Sequence, residues 1–182
     1  MRTPRGDVPI ETLQPGDLVV TKDHGVQPVR WIGISHLDET RLERSDKLRP
    51  IWISKDVFGS DRDIVVSRQH AMWDPERKEL VRAVHMLKEK RKGVRVARGK
   101  KRVAYVHLMF DRHELIYAEG VLSESMYPGP IVLNALAREV RDELFAVFPR
   151  LRPANSPERV RECYGKPVRP LYSPRNQDRE AA

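Results

Sequence analysis

At 182 residues, with 40% hydrophobic and 33% charged side chains, the chain has the balance of one globular domain with its own core, not of a disordered segment. No run approaches the ~20 consecutive apolar residues that span a bilayer, and residues 1–7 carry charges with no apolar run behind them. A membrane partner and a secretory signal are thereby excluded, a cytoplasmic protein is expected, and the single cysteine, Cys163, excludes an internal disulfide and a thiolate metal cluster.

In chain order, Pro15-Gly16-Asp17 is a turn signal and Leu18-Val19-Val20-Thr21 a short β-branched strand. Asp23-His24-Gly25 is a second turn, and residues 26–34 supply a partner strand with Val29, Trp31 and Ile32 facing inward, which predicts a hairpin. Residues 37–48 are charged and read as a short helix or a loop. Pro50-Ile51-Trp52-Ile53 and Asp63-Ile64-Val65-Val66 have strand length, with residues 55–62 as the connection. Residues 80–87 are apolar and fit strand or helix equally. Residues 103–116 read as two strands meeting at a sharp bend, or one long bent strand.

Short strands with turns at this spacing predict a mainly β fold. The pattern then changes. Ile131, Leu133, Leu136, Val140, Leu144 and Phe148 recur at helical intervals and predict one helix over 131–148, ended by Pro149. Five prolines beyond residue 152 predict an irregular tail, with at most one helical turn near Pro157. The expected organisation is a β domain over 1–128, a helix over 129–150 packed on it, and an irregular basic, Pro-rich tail over 151–182.

Much of the net charge of +8 lies in residues 88–102, where Lys88, Lys90, Arg91, Lys92, Arg95, Arg98, Lys100, Lys101 and Arg102 face Glu89 alone. A basic run without interleaved aromatics reads as a solvated hairpin, so a nucleic-acid partner is not expected. There is no Gly-rich phosphate loop, no His-Glu-x-x-His helix and no paired-cysteine site, so no cofactor and no metal are expected. His24 and His36 read as surface residues, His85 as a satisfied core histidine, and Cys163 as an ordinary thiol. Ser67-Arg68-Gln69-His70 follows an apolar run expected to be a buried strand. A hydroxyl three residues before an imidazole can hold both groups against one peptide bond, the serine orienting a carbonyl and the histidine moving a proton.

The order of blocks extends this. Thr3-Pro4-Arg5-Gly6, Val8-Pro9-Ile10-Glu11-Thr12-Leu13-Gln14-Pro15-Gly16-Asp17-Leu18-Val19 and Pro28-Val29-Arg30-Trp31-Ile32-Gly33 together resemble the opening of a Hedgehog/intein (Hint) domain, in particular the bacterial Hint type 2 subfamily. Val66-Ser67-Arg68-Gln69-His70 is similar to that family's Thr/Ser-x-x-His block. Tyr105-Val106-His107-Leu108 and the segment from His113 to Val121 resemble its late block, closed by Ser123-Glu124-Ser125. With Tyr127-Pro128-Gly129 and the helix, the resemblance covers residues 1–150.

The resemblance implies a horseshoe-like, all-β Hint fold and self-cleavage of a peptide bond. A Cys or Ser attacks the preceding carbonyl (an N-to-S or N-to-O acyl shift), and the ester is then opened by a second nucleophile. Ser67 and His70 would activate the scissile peptide. His107, where many members carry Asp, would be the second acid or base. His113 holds a recurring family position that a structural hydrogen bond explains nearly as well. Two departures matter. The family's nucleophile stands upstream of a segment like residues 3–6, so the chain resembles an N-terminally truncated member, inactive as written, whose partner and substrate is its own upstream segment. Inteins end in His-Asn, whereas Glu124-Ser125 stand here, so Asn cyclisation is not expected. As part of a larger precursor the domain would be secreted or surface-associated. Three rival readings are a non-enzymatic Hint-fold scaffold or partner-binding module, a basic nucleic-acid-binding protein working through residues 88–102, and a metal-dependent hydrolase using His70, His107 and His113. The oligomeric state is left open.

Overall fold

In the computed structural model, which describes residues 1–174, pairs of short apolar runs fold back on one another through turn residues to build antiparallel sheets. β1 (Arg2–Thr3) and β2 (Gly6–Asp7) form the first pair. β3 (Leu18–Val20) and β4 (Val26–Pro28) form the expected hairpin, with Gly25 at φ 65° in the turn, where a side chain would be strained. β5 (Trp31–Leu37) leaves that hairpin, and Asp38 then caps α1 (Glu39–Arg44) by accepting from the Arg41 N–H. β6 (Ile51–Ile53), β7 (Ile64–Val66), β8 (Ala71–Asp74) and β9 (Glu79–Arg82) follow.

The ambiguous run 80–87 is both elements in turn, because β9 passes directly into α2 (Ala83–Lys88). β10 (Val94–Val96) lies within the basic run, and β11 (Val103–Met109), β12 (Leu115–Ala118) and β13 (Val121–Glu124) complete the strands. The segment 103–116 is thus two strands separated by a bend.

The sheets run β10-β6-β7, β12-β13-β8-β9 and β11-β5, beside the two small hairpins. The pairing of β5 with β11, from Trp31↔Met109 to Leu37↔Val103, joins chain segments far apart in sequence. One core, around Ile51, Ile53, Met72 and Met86, lies under the first two sheets. Another collects Val19, Val29, Leu108 and Phe110. Burying each such side chain contributes about 1.5–3 kcal/mol.

The C-terminal part departs from expectation in two ways. The single helix predicted over 131–148 is two, α3 (Pro130–Ala135) and α4 (Arg138–Val147), separated by extended backbone at Leu136 and Ala137. Periodicity cannot see this break, since Leu133, Leu136 and Leu144 would share a face in an unbroken helix too. The tail is also more ordered than its prolines suggest. Ser156 caps α5 (Pro157–Tyr164), whose buried Val160 and Tyr164 share one face and join the cluster around Trp31, Leu144 and Leu151. Proline at the first helical position suits a helix start, so Pro157 begins this helix and does not break it.

Beyond α5 the chain returns to the β domain. Leu171 bridges Leu80, with the Leu80 N–H donating to the Pro170 carbonyl at 2.8 Å and the Tyr172 N–H to the Leu80 carbonyl at 2.9 Å. Residues 175–182 of the expected irregular tail lie outside the described residues. No helix among the described residues is long and apolar enough to cross a membrane.

Candidate functional site

A cleft of 1410 Å³ is lined by Ser67, His70, His107, His113 and Glu124, with Met1 also on its wall. All four side chains expected to act therefore border one space, although their elements are distant in sequence.

Ser67 to His70 form the turn between β7 and β8. The His70 N–H donates to both the carbonyl and the Oγ of Ser67, each at 3.2 Å, which fixes the hydroxyl oxygen while leaving its proton free to donate outward. The first two N–H groups of α2, at Ala83 and Val84, donate to the carbonyls of His70 and Arg68 at 3.0 and 2.9 Å. These bonds satisfy donors that α2, with no side-chain cap, would otherwise leave unpaired. They also pin the turn.

His107 projects from the middle of β11, directly across from Gly33 of β5. Burial, and secondarily the imidazole of His70, hold its pKa down at about 4. Burial likewise lowers His70, with Glu124 pulling it up and His113 pushing it further down. Both imidazoles are consequently neutral at pH 7, the state in which histidine can accept a proton.

A stability test follows from His107. An unfolded His107 would titrate near 6.5, so below that pH the unfolded state binds the proton first and folding stability falls, until the folded group titrates near 4. Urea unfolding at pH 7.5 and 5.5 should therefore show a loss about 1.4 kcal/mol smaller in His107→Gln than in the parent chain. Equal losses in the two proteins would contradict a buried, neutral His107.

His113 plays a different part. Its ring is 3% exposed and both nitrogens are engaged. Nδ1 accepts the Val168 N–H at 3.1 Å, so the proton sits on Nε2, which donates to the Ser125 carbonyl at 3.0 Å and lies 3.5 Å from Glu124 Oε2. Of the two roles expected for this residue, a structural hydrogen bond fits these contacts.

Two carboxylates gain partners that the sequence does not announce. His24 is exposed, as expected, yet it directs Nδ1 at Glu114 Oε2 at 2.8 Å, and Glu114 is fully buried. The signal was a carboxylate between His113 and Leu115 in an apolar run, which needs a partner once buried. Glu124 was seen only as part of a closing block. Its Oε1 accepts the Ala71 N–H at 2.8 Å, beside His70. His36 is exposed, as expected, and His85 packs its ring against Tyr172 at 5.7 Å, but its Nδ1 has no hydrogen-bond partner among the described residues.

The basic run is dispersed by its folding. Arg91 pairs with Asp74 at 2.7 Å, Arg98 with Asp46 at 2.9 Å and Lys101 with Glu39 at 3.2 Å, while Arg95 lies over the Trp52 ring. Among the described residues no three His, Cys, Asp or Glu side chains are grouped as a metal shell. Cys163 packs partly buried against the Trp31 cluster.

Comparison with protein families matches residues 1–130 to the Hint domain. A search of curated proteins finds no match.

Proposed function

Because the chain belongs to the Hint domain family, we propose that it is an autoprocessing domain that cleaves the peptide bond joining it to an upstream segment, with Ser67, His70 and His107 as the acid–base site. The observation that carries this reading is the convergence of those three side chains on one cleft that Met1 also lines. A residue preceding Met1 would be delivered to that cleft by β1. In this reading the nucleophile is a Cys or Ser at the junction, outside residues 1–182.

In the reaction, the sulfur or oxygen of that residue attacks the carbonyl carbon before it. Neutral His70 takes the nucleophile's proton and delivers it to the departing amide nitrogen as the C–N bond breaks. The Ser67 hydroxyl donates to the carbonyl oxygen, where negative charge develops. His107 serves the second step, in which a thiol or water opens the resulting ester. Breakage after Ser125 is not expected. No Asn stands there to cyclise, and the chain continues inward, with the Met126 N–H donating to the Leu108 carbonyl at 2.8 Å.

The test is to express the gene with its natural upstream codons in frame and record intact mass with and without dithiothreitol. The expected result is thiol-dependent loss of the upstream segment, slowed at least about 100-fold by His70→Ala. An unchanged mass in the parent chain would favour the scaffold reading.

A further inference from the structure

We propose that Glu124 is the positioning residue of His70: its carboxylate is anchored at the N–H of the next residue, Ala71, and supplies the counter-charge when His70 carries the proton in transit. This rests on the autoprocessing reading for its role in the reaction, though not for its effect on His70.

The anchoring has three parts. β13 lies against β8 with Ser123 opposite Met72, which sets Glu124 next to the start of β8. The Ala71 N–H, one residue from His70, donates to Oε1 at 2.8 Å. Oε2 lies 3.5 Å from the proton-bearing Nε2 of His113, itself held by the Ser125 carbonyl and the Val168 N–H. Both oxygens are thus restrained, while the side chain stays 17% exposed at the cleft.

The groups facing His70 divide clearly. His113, from the bend between β11 and β12, opposes a positive charge on His70, and the imidazole of His107 on β11 interacts with it as well. Arg82, across from Ala71 on β9, lines the same cleft. Glu124 is the group that favours the charged form. A base that must become an imidazolium in a half-buried cleft needs such a partner, because burial alone penalises that state. Glu124→Gln keeps an oxygen for the Ala71 N–H and removes the charge, setting an amide NH2 where Oε2 lay 3.5 Å from His113 Nε2.

Two measurements test this. The first uses the chain of residues 1–182 and follows the ring proton of His70 by NMR as pH is lowered. The His70 midpoint should fall by about 0.5–1 unit in Glu124→Gln, and by less in Glu124→Asp, which keeps the charge and serves if the amide variant does not fold. Equal midpoints, or a parent His70 that does not titrate before acid unfolding, would overturn the proposal.

The second uses the upstream-extended chain. Thiol-dependent cleavage in Glu124→Gln should slow about tenfold at pH 7, with the acid limb of its pH profile, set by deprotonation of His70, moved to lower pH. Cleavage at the parent rate with an unmoved profile would remove Glu124 from the reaction. If the parent chain does not cleave while the midpoints differ, the autoprocessing reading fails and the charge-balancing role stands.

Discussion

Asp74→Ala should lower the free energy of unfolding by about 3–5 kcal/mol in urea denaturation at pH 7, the range for breaking a buried ion pair from one side. The Asp74 side chain is 2% exposed and nearly every lone pair is used. Oδ2 accepts Arg91 Nη1 at 2.7 Å, and Oδ1 accepts the N–H groups of Glu76 and Arg77 at 3.1 and 3.2 Å. It therefore closes the β8–β9 turn, in which Lys78 is held at φ 55°, and ties that hairpin to the chain beyond α2. Alanine leaves two turn donors and a partly buried guanidinium without their acceptor.

The pH dependence has a definite sign. Burial pushes the Asp74 carboxyl up, but the Arg91 bond and the N–H groups of Arg77 and Glu76 outweigh it, so the folded group titrates below its ordinary 3.8. Its contribution is complete above that value and is lost as pH falls through the lower folded pKa. Asp74→Asn, which keeps an acceptor for the turn, should cost less than Asp74→Ala. A loss below about 1 kcal/mol for Asp74→Ala would put Asp74 among ordinary surface ion pairs.

Gly33→Ala should cost about 3 kcal/mol, the upper part of the range for overfilling a core. The backbone is not the reason, since Gly33 has no positive φ. A Cβ there would overlap Cη2 of Trp31 and stand 2.6 Å from its Cζ2. Trp31, two residues earlier on the same face of β5, is 3% exposed and lies in the cluster with Leu133, Leu136, Leu144 and Val160. Its ring cannot move without opening the seat of α4 on β5.

The cause can be isolated by a double-mutant cycle. In a Trp31→Leu background most of the Gly33→Ala cost should disappear, because the atoms it strikes are gone. Equal costs in both backgrounds would show that the ring is not what Gly33 accommodates. The position also bears on the cleft. Gly33 faces His107 across the β5–β11 pair, so Gly33→Ala should disturb the His107 environment, read as a change in its NMR titration, whereas Asp74→Asn should not.

What local pattern can encode was legible. The turn glycines with their flanking β-branched runs predicted β3 and β4, and residues 103–116 were read as strand with a bend. Ser67-x-x-His70 is a local motif, and its geometry, one turn closed on the serine oxygen, follows from spacing alone. The blocks that resemble a Hint domain indicated His107 and His113 as well. The α3–α4 break escaped because one unbroken helix and two successive ones display the same apolar period. The length of α5 escaped because composition counts prolines without regard to position, and Pro157 stands where a helix begins.

The sequence by itself determined which residue types alternate, where the chain turns, and that an imidazole follows a hydroxyl at the end of an apolar strand. Only the tertiary structure decided what each group meets. It paired β5 with β11, setting His107 opposite Gly33. It locked His113 between Ser125 and Val168, and brought Glu124 to the Ala71 N–H beside His70. Periodicity reports which face of an element is buried, through spacings of two or three to four residues. The partner across a sheet or cleft depends on which distant surfaces the chain can close upon with their polar groups satisfied. That choice is made by the whole core and is written in no single segment.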